Sequence, residues 1–464
     1  MPAPYKILTL GDSVMWGQGL LQQHKFSQLA ADFIRASGRD VTLAALPHPG
    51  AVVCDGPTLP GPHMPFLFGE MPRSFPSISS QLAVAAGQAG YAPFLRPETW
   101  DLSDWQAYKR FLQQQIAGYS APGGSPPDLI LLDGGINDLG ALQLVVPWFL
   151  DMPDPCAAAP GAAPPTVAPG GTVQTVLDAT AAAGGNLAAV DLSTIAWITD
   201  DQLRQLVDRF VYDRIRRLVG AVANAFGSSR VVVTGYFPIF TQGSAEQLAL
   251  NPAAALLFTL SKGREHQLAA LNLALHPHLD RPAFANQIVH QSALWYSYST
   301  QRLREIVAEA NNLFGRRFAL ASPAFGPQNG ALAADSYLWS FVGLVDDIIQ
   351  KILQLFGGGT AAPPPAGALS PAAAPSLLPS FGLDLGGLAP AVEFVTAMAA
   401  GAVIATDEVG LARVAAATAY VFSGAGRTDP GTTAVAGFTT GAASVGHPNP
   451  KGAQAYFEAI KAVI

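Results

Sequence analysis

The chain has 464 residues, of which 50% are hydrophobic and 13% are charged, so it carries enough apolar surface for a large buried core. Its formal net charge of −7 is mild for this length and argues against a basic, nucleic-acid-binding surface, so we expect no nucleic-acid partner. Its two cysteines, Cys54 and Cys156, exclude a disulfide framework and leave one bridge or two free thiols open.

Five short apolar runs predict β-strands, and the first four end at or near glycine or proline. In chain order the runs span residues 5–10, 41–46, 129–132, 231–234 and 318–321. Apolar residues at helical spacing predict a helix from Phe26 that stops at Gly38, a long amphipathic helix from Thr199 to Gly227, helical segments over 244–313 and a closing helix over 451–464. Strands that alternate with helices favour an α/β fold, with a parallel sheet covered on both faces.

The segments between these elements are rich in proline, glycine and other small residues. Residues 47–100 are mostly irregular by composition, and residues 154–171 are typical of a surface loop. We expect a single domain over 1–464, with an insertion over 326–430 that is partly helical and partly rich in proline and alanine. Within this insertion, an apolar face over 338–356 predicts a helix that either packs on the domain or forms a lid.

The N-terminal ten residues lack the layout of a signal peptide, and no apolar run is long enough to span a bilayer. We therefore expect no transmembrane segment, and either a cytoplasmic protein or the mature form of a secreted one. His276 and His278 flank Pro277 without further ligands nearby in sequence, so we interpret them as part of a loop rather than a metal site.

Three residues follow the carboxyl ends of the first three predicted strands: Ser13, Gly50 and Asn137. In an open parallel sheet of order 2-1-3, ligands bind at this edge, so Ser13 and Asn137 would face each other with Gly50 beside them. Ser13 supplies a hydroxyl nucleophile. The backbone N–H groups of Ser13 and Gly50, with the Asn137 side-chain amide, would form an oxyanion hole. His447, on a loop before the last helix, is the candidate base.

The residues around Ser13 suit a sharp turn. Gly11 permits the abrupt exit from the strand, and Asp12 can brace the turn by bonding nearby backbone. Taken alone, Ser13 could be a simple helix N-cap. Trp16 either lines an acyl site or packs in the core.

Four ordered blocks of sequence carry a resemblance to a known family. They are ILTLGDSVMWGQG over 7–19, HPGA over 48–51, GGIND over 134–138 and GHPNPKG over 446–452. In these blocks, and in VVVTGYFPIF over 231–240, the chain resembles the SGNH/GDSL lipases and esterases. The resemblance implies a three-layer α/β/α, flavodoxin-like SGNH hydrolase fold with a five-strand parallel sheet and large helical insertions. It also implies Ser13 as nucleophile, His447 as base, the oxyanion hole named above, and no metal or organic cofactor.

One position departs from the family's pattern. The family has D-x-x-H, whereas this chain has Ser444 where the aspartate that orients the histidine would stand. Three interpretations stay open. Ser13 and His447 form a dyad oriented by Ser444 or a backbone carbonyl; an acid from elsewhere, Asp429 or Asp335, completes a triad; or the enzyme is weakened or inactive.

The resemblance therefore implies a serine ester hydrolase. The apolar composition and the candidate lid favour acyl lipids or other hydrophobic esters as substrates, with transient contact at a membrane surface. The alternative within this class is a carbohydrate O-acetyl esterase. The alternative from another class is a catalytically weak or inactive binding protein that keeps the fold.

Overall fold

A five-stranded parallel sheet forms the centre of the computed structural model, which describes residues 3–18, 20, 22–48, 50–53, 77–87, 126–139, 178–179, 181–182, 198–250, 252, 278–339 and 446–464. The strands are β1 (Tyr5–Leu10), β2 (Val41–Ala45), β3 (Leu129–Leu132), β4 (Arg230–Thr234) and β5 (Phe318–Ala321). Their order is β2-β1-β3-β4-β5, and every neighbouring pair is parallel. This order is that of flavodoxin-like folds and confirms the predicted α/β class and the 2-1-3 arrangement.

The central strands are mostly apolar because helices cover both faces of the sheet. All of β3 is buried, as is β1 from Ile7 onward. In the register of these two strands Leu10 lies beside Leu132, so the chain leaves both strands at the same edge. The residues that follow β1 and β3 are therefore neighbours, as the topology of a parallel sheet requires.

The helices flank the sheet in two groups. Their bounds are α1 (Ser13–Trp16), α2 (Phe26–Ala36), α3 (Ile78–Ala85), α4 (Ile136–Leu139), α5 (Asp200–Val207), α6 (Asp213–Ala225), α7 (Ala245–Leu250), α8 (Arg281–Phe314) and α9 (Pro450–Lys461), with short 3₁₀ turns at Gln22–His24 and Gln242–Ser244. The closing helix α9 packs against α2, whereas the long helix α8 packs against α5, α6, α7 and β5. The sheet with these two groups forms the three layers that the sequence predicted. Every helix within the described ranges is too short or too polar to cross a bilayer.

The helix predicted from Thr199 to Gly227 is not uniform. Thr199 caps α5 through a capping box with Gln202, as its residue type favours. A π-helical turn over Asp208–Tyr212 then separates α5 from α6, and α6 ends at Ala225, two residues before the predicted glycine. The turn changes the hydrogen-bond register of the backbone, which apolar spacing does not report.

The helix predicted over 338–356 does not include its first two residues. Leu338 forms an antiparallel bridge with Pro448, and Trp339 exchanges backbone hydrogen bonds with the loop that carries His447. Leu338 and Trp339 are therefore extended rather than helical. The rest of that segment lies outside the described residues, as do 340–430 of the insertion, the loop over 154–171 and both cysteines.

Candidate active site

The turn after β1 presents Ser13 at the start of the short helix α1. Asp12, not Ser13, caps this helix, because Asp12 Oδ1 accepts the Val14 N–H at 2.8 Å. Ser13 is therefore the first helical residue, and its N–H donates to no other described residue. Gly11 has no substitute here, since a Cβ on it would lie 1.9 Å from Asp133 Oδ1. Packing thus fixes both the glycine and the exit of the chain toward Ser13.

The loop before α9 brings His447 to the nucleophile. His447 Nε2 lies 2.7 Å from Ser13 Oγ, although 434 positions separate the two residues. Two backbone hydrogen bonds hold the loop: Trp339 N donates to His447 O at 2.8 Å, and Gly446 N donates to Trp339 O at 2.9 Å. The residue pair that the sequence proposed as nucleophile and base is therefore in hydrogen-bond contact.

Asn449 anchors the other side of the same loop. Its Oδ1 caps α9 by accepting the N–H groups of Lys451 at 2.9 Å and Gly452 at 3.1 Å. Its Nδ2 donates to Ser336 O at 2.8 Å. One side chain thus fixes the start of the helix and ties the His447 loop to the preceding segment.

The loop after β2 carries Gly50 and is attached on both sides of this residue. His48 N donates to Gly11 O at 3.1 Å, and Asn137 Nδ2 donates to Ala51 O at 2.9 Å. Gly50 therefore lies between His48, which is hydrogen-bonded to the nucleophile turn, and Ala51, which is hydrogen-bonded to the Asn137 amide. Its φ of +77° is left-handed, and its N–H donates to no other described residue. The Asn137 amide keeps a second N–H beyond the one given to Ala51.

The loop that carries Gly50 is also hydrogen-bonded to a buried ion pair. Asp138 accepts the Val53 N–H with both carboxylate oxygens, at 3.1 and 3.0 Å, and pairs with Arg214 Nη1 at 2.6 Å. Burial raises the pKa of Asp138 to about 6, while Arg214 and the Val53 amide oppose that rise. Sequence reasoning missed this pair. The sequence signal for this pair is Arg214, a charged residue at a buried position of α6, four residues from both Phe210 and Leu218.

A second buried network lies directly beneath the nucleophile turn, and sequence reasoning missed it too. Asp133 Oδ1 accepts the Asp12 N–H at 2.9 Å, and Tyr236 Oη donates to Asp12 Oδ2 at 2.8 Å. Tyr236 Oη also accepts the Ile136 N–H at 3.3 Å, which ties the exits of β1, β3 and β4 together. Gln81 holds both the N–H and the C=O of Gly11, each at 2.8 Å.

The residues proposed to orient His447 have different positions. Asp335 lies at the surface, where its Oδ1 pairs with Lys451 Nζ at 2.5 Å. Ser444 and Asp429 lie outside the described residues. Trp16 is buried in the core, where Lys25 Nζ lies 3.4 Å above its ring. Within the described part of the chain, no group of three or more His, Cys, Asp or Glu side chains is arranged to hold a metal ion.

Known proteins resemble the chain only at the level of solved structures. No protein-family model and no curated protein sequence matches it. An extracellular lipase from Streptomyces rimosus is 12% identical over 72% of this chain and 88% of its own, with a TM-score of 0.32. A phospholipase A1 from Streptomyces albidoflavus is 13% identical over 73% and 88%, with a TM-score of 0.32. A family two carbohydrate esterase from Clostridium thermocellum is 9% identical over 71% and 58%, with a TM-score of 0.28.

Proposed function

We propose that this protein is a serine ester hydrolase in which Ser13 attacks the ester carbonyl and His447 is its general base. The observation that carries the proposal is the 2.7 Å contact between His447 Nε2 and Ser13 Oγ. This distance falls within the roughly 2.6–3.2 Å reach that a general base needs. A serine hydroxyl is a weak nucleophile without such a base, so the contact supports a catalytic role for both residues.

The chemistry would proceed in two steps through an acyl-enzyme. In the first step, Ser13 Oγ bonds to the carbonyl carbon while His447 Nε2 takes the hydroxyl proton, and His447 then gives this proton to the departing alcohol oxygen. In the second step, water bonds to the acyl carbon and gives a proton to His447 Nε2. The bond between that carbon and Ser13 Oγ then breaks, the acid leaves, and His447 returns the proton to Ser13 Oγ. The N–H groups of Ser13 and Gly50 and the Asn137 amide would stabilise the negative charge on the carbonyl oxygen in both steps.

We propose that Ser444 or a backbone carbonyl orients His447, the role that the family's aspartate would otherwise fill. Replacing Ser444 with aspartate should raise kcat, because a carboxylate would stabilise the imidazolium with a full charge. An unchanged kcat would argue instead for an acid supplied by another residue, with Asp429 as the first candidate to replace with asparagine.

We propose acyl lipids or other hydrophobic esters as the substrate class, met at a membrane surface during transient contact. The support is the composition, with 50% hydrophobic residues and a mean hydropathy of +0.27. Rates on p-nitrophenyl esters of increasing chain length test this choice. We expect the rate to increase from acetate toward longer acyl chains. Activity confined to acetate would reject the lipid preference and favour a carbohydrate O-acetyl esterase.

Covalent labelling by a fluorophosphonate probe tests the class of reaction itself. We expect the wild-type protein to be labelled and Ser13→Ala to be silent. Ser37→Ala, which changes an exposed serine at the end of α2, should label like the wild type. A wild-type protein that is not labelled, or a Ser13→Ala variant that labels equally well, would reject the hydrolase and favour a non-catalytic binding protein.

A further inference from the structure

Two carboxyl groups are buried close together at the edge of the sheet where the chain leaves β1 and enters the turn that carries Ser13. Asp12 is fully buried and Asp133 is 2% exposed. The two residues are linked by the hydrogen bond from Asp12 N to Asp133 Oδ1, at 2.9 Å. The missing side chain of Gly11 makes room for this contact. The pair therefore belongs to the turn that aims the nucleophile, yet the proposed reaction uses neither carboxyl group.

The surroundings of the pair do not support two negative charges. Among the described residues neither carboxyl forms an ion pair with lysine, arginine or histidine. The groups that face the pair are Tyr236 from the segment after β4, Tyr456 from α9 and the carboxyl of Asp138 from α4. None of these groups carries a positive charge. Two buried like charges without a counter-ion would repel each other and lose hydration, so one of them should hold a proton.

The hydrogen bonds decide which carboxyl holds it. Asp12 accepts the Val14 N–H with one oxygen and the Tyr236 O–H with the other, so donors satisfy both oxygens of its charged form. The backbone N–H groups of Asp12 and Met15 oppose the rise in the pKa of the Asp133 carboxyl, but its Oδ2 is buried and has no hydrogen-bond partner among the described residues. An ionised Asp133 would leave that oxygen charged and uncompensated, which is the costlier arrangement.

We propose that Asp133 is a positioning residue for the nucleophile and that it acts as a neutral carboxylic acid. Its Oδ1 holds the backbone of Asp12, and its neutrality avoids a second negative charge close to Ser13, where the carbonyl oxygen of the ester would become negative. This assignment rests on the proposed function for its effect on rate. The protonation state of Asp133 is independent of that function.

The electrostatics of the pair agree with this assignment. Burial raises the pKa of Asp12 to about 6. Burial and the charge of Asp12 raise the pKa of Asp133 well above its usual range. Because the folded-state pKa of Asp133 is raised, the neutral form is the stable one, and the stability it contributes is lost as the pH rises through that pKa. Ionisation at alkaline pH would then repel Asp12 and weaken the stabilisation of the oxyanion.

The test compares two substitutions at Asp133 with a matched control. Asp133→Asn keeps an acceptor for the Asp12 N–H but cannot ionise, whereas Asp133→Ala removes the acceptor. Asp128→Asn makes the same change at the opposite end of β3, where Asp128 Oδ2 accepts the Lys6 N–H at 2.8 Å. Two quantities are followed from weakly acidic to alkaline pH: the rate at which a fluorophosphonate labels Ser13, and the midpoint of thermal unfolding.

We expect Asp133→Asn and Asp128→Asn to label at the wild-type rate near neutral pH. The wild type and Asp128→Asn should slow at alkaline pH, and Asp133→Asn should not. Asp133→Ala should label about 10²-fold more slowly while still unfolding cooperatively, because the nucleophile turn is displaced. An Asp133→Asn variant as slow as Asp133→Ala, or one that keeps the alkaline decline of the wild type, would overturn the proposal.

Thermal unfolding separates this proposal from the proposed function. If the wild type is not labelled at all, the proposed hydrolase function is rejected. The pH dependence of the unfolding midpoint still shows whether Asp133 is protonated. The unfolding midpoint of Asp133→Asn should then fall less at alkaline pH than that of the wild type. Equal declines in the two proteins would show that Asp133 is not the group that holds the proton.

Discussion

Replacing Arg214 with methionine tests how the loop that carries Gly50 is held in place. Arg214 Nη1 lies 2.6 Å from Asp138 Oδ1, and their side chains are 6% and 0% exposed. Asp138 in turn accepts the Val53 N–H, three residues beyond Gly50. Methionine keeps much of the length and the apolar stem of arginine, so the substitution removes the charge and leaves most of the packing.

The size of the effect follows from the burial of Asp138. Removing one partner of a buried ion pair costs about 3–5 kcal/mol, because the remaining charge is uncompensated. Burial raises the pKa of Asp138 from 3.8 to about 6 even with Arg214 present. The stability that this group contributes is therefore fully present below its unfolded pKa and is lost as the pH rises through about 6. That loss is about 3 kcal/mol in the wild type, and without Arg214 the folded pKa rises further and the loss grows.

Thermal unfolding at two pH values measures this effect. At about pH 5, where Asp138 is largely protonated in both proteins, we expect Arg214→Met to unfold close to the wild-type midpoint. At about pH 8 it should unfold several degrees lower, at roughly 1–2 °C for each kcal/mol lost in a chain of this length. Arg216→Met is the control, since the ion pair of Arg216 with Glu309 lies at the surface and its removal should change little at either pH.

The same variant reports on the site. At the higher pH an uncompensated Asp138 should displace the Val53 tether and with it the Gly50 N–H, so labelling of Ser13 by a fluorophosphonate should slow. Arg216→Met should label like the wild type. An equal change in the unfolding midpoint at both pH values would refute the pH linkage. Wild-type labelling by a destabilised Arg214→Met would refute the support of the loop by this pair.

Further substitutions test the other contacts of the site. Gly50→Ala should cost about 1–2 kcal/mol of stability by backbone strain and slow labelling of Ser13, whereas Gly38→Ala, with a similar positive φ at the end of α2, should cost stability alone. Asn449→Ala should cost about 0.5–2 kcal/mol as a lost helix cap and also slow labelling, because the same side chain anchors the His447 loop. Asp280→Ala, which removes the cap of α8, should lower the unfolding midpoint without affecting labelling.

The strands could be read from the sequence because their signals are local. β1, β3 and β5 have the predicted bounds, and β2 and β4 differ by one residue. Buried parallel strands need continuous apolar runs, and the sharp exits from β1 and β3 need glycine, so the pattern reports both. Once the strands were placed, the rule for parallel sheets brought Ser13 and Asn137 to one edge.

The contacts that support the site could not be read in this way. Asp133, Asp138 and Arg214 bond to residues that are distant in sequence, and nothing in local spacing pairs them. The π-helical turn depends on which backbone carbonyl accepts each N–H group, and residue type says little about this hydrogen-bond register. Leu338 looked helical from its apolar neighbours, but a backbone bridge to Pro448 decides its conformation. Tertiary contacts overrode local preference at that position.

Mass spectrometry of the enzyme quenched during turnover of a p-nitrophenyl ester tests the Ser13–His447 pair most directly. We expect one acyl group per chain, located on the peptide that contains Ser13. His447→Ala should acylate about 10²–10⁴-fold more slowly while unfolding at the wild-type temperature. Turnover without an acyl group on Ser13, or acylation of His447→Ala at the wild-type rate, would contradict this chemistry.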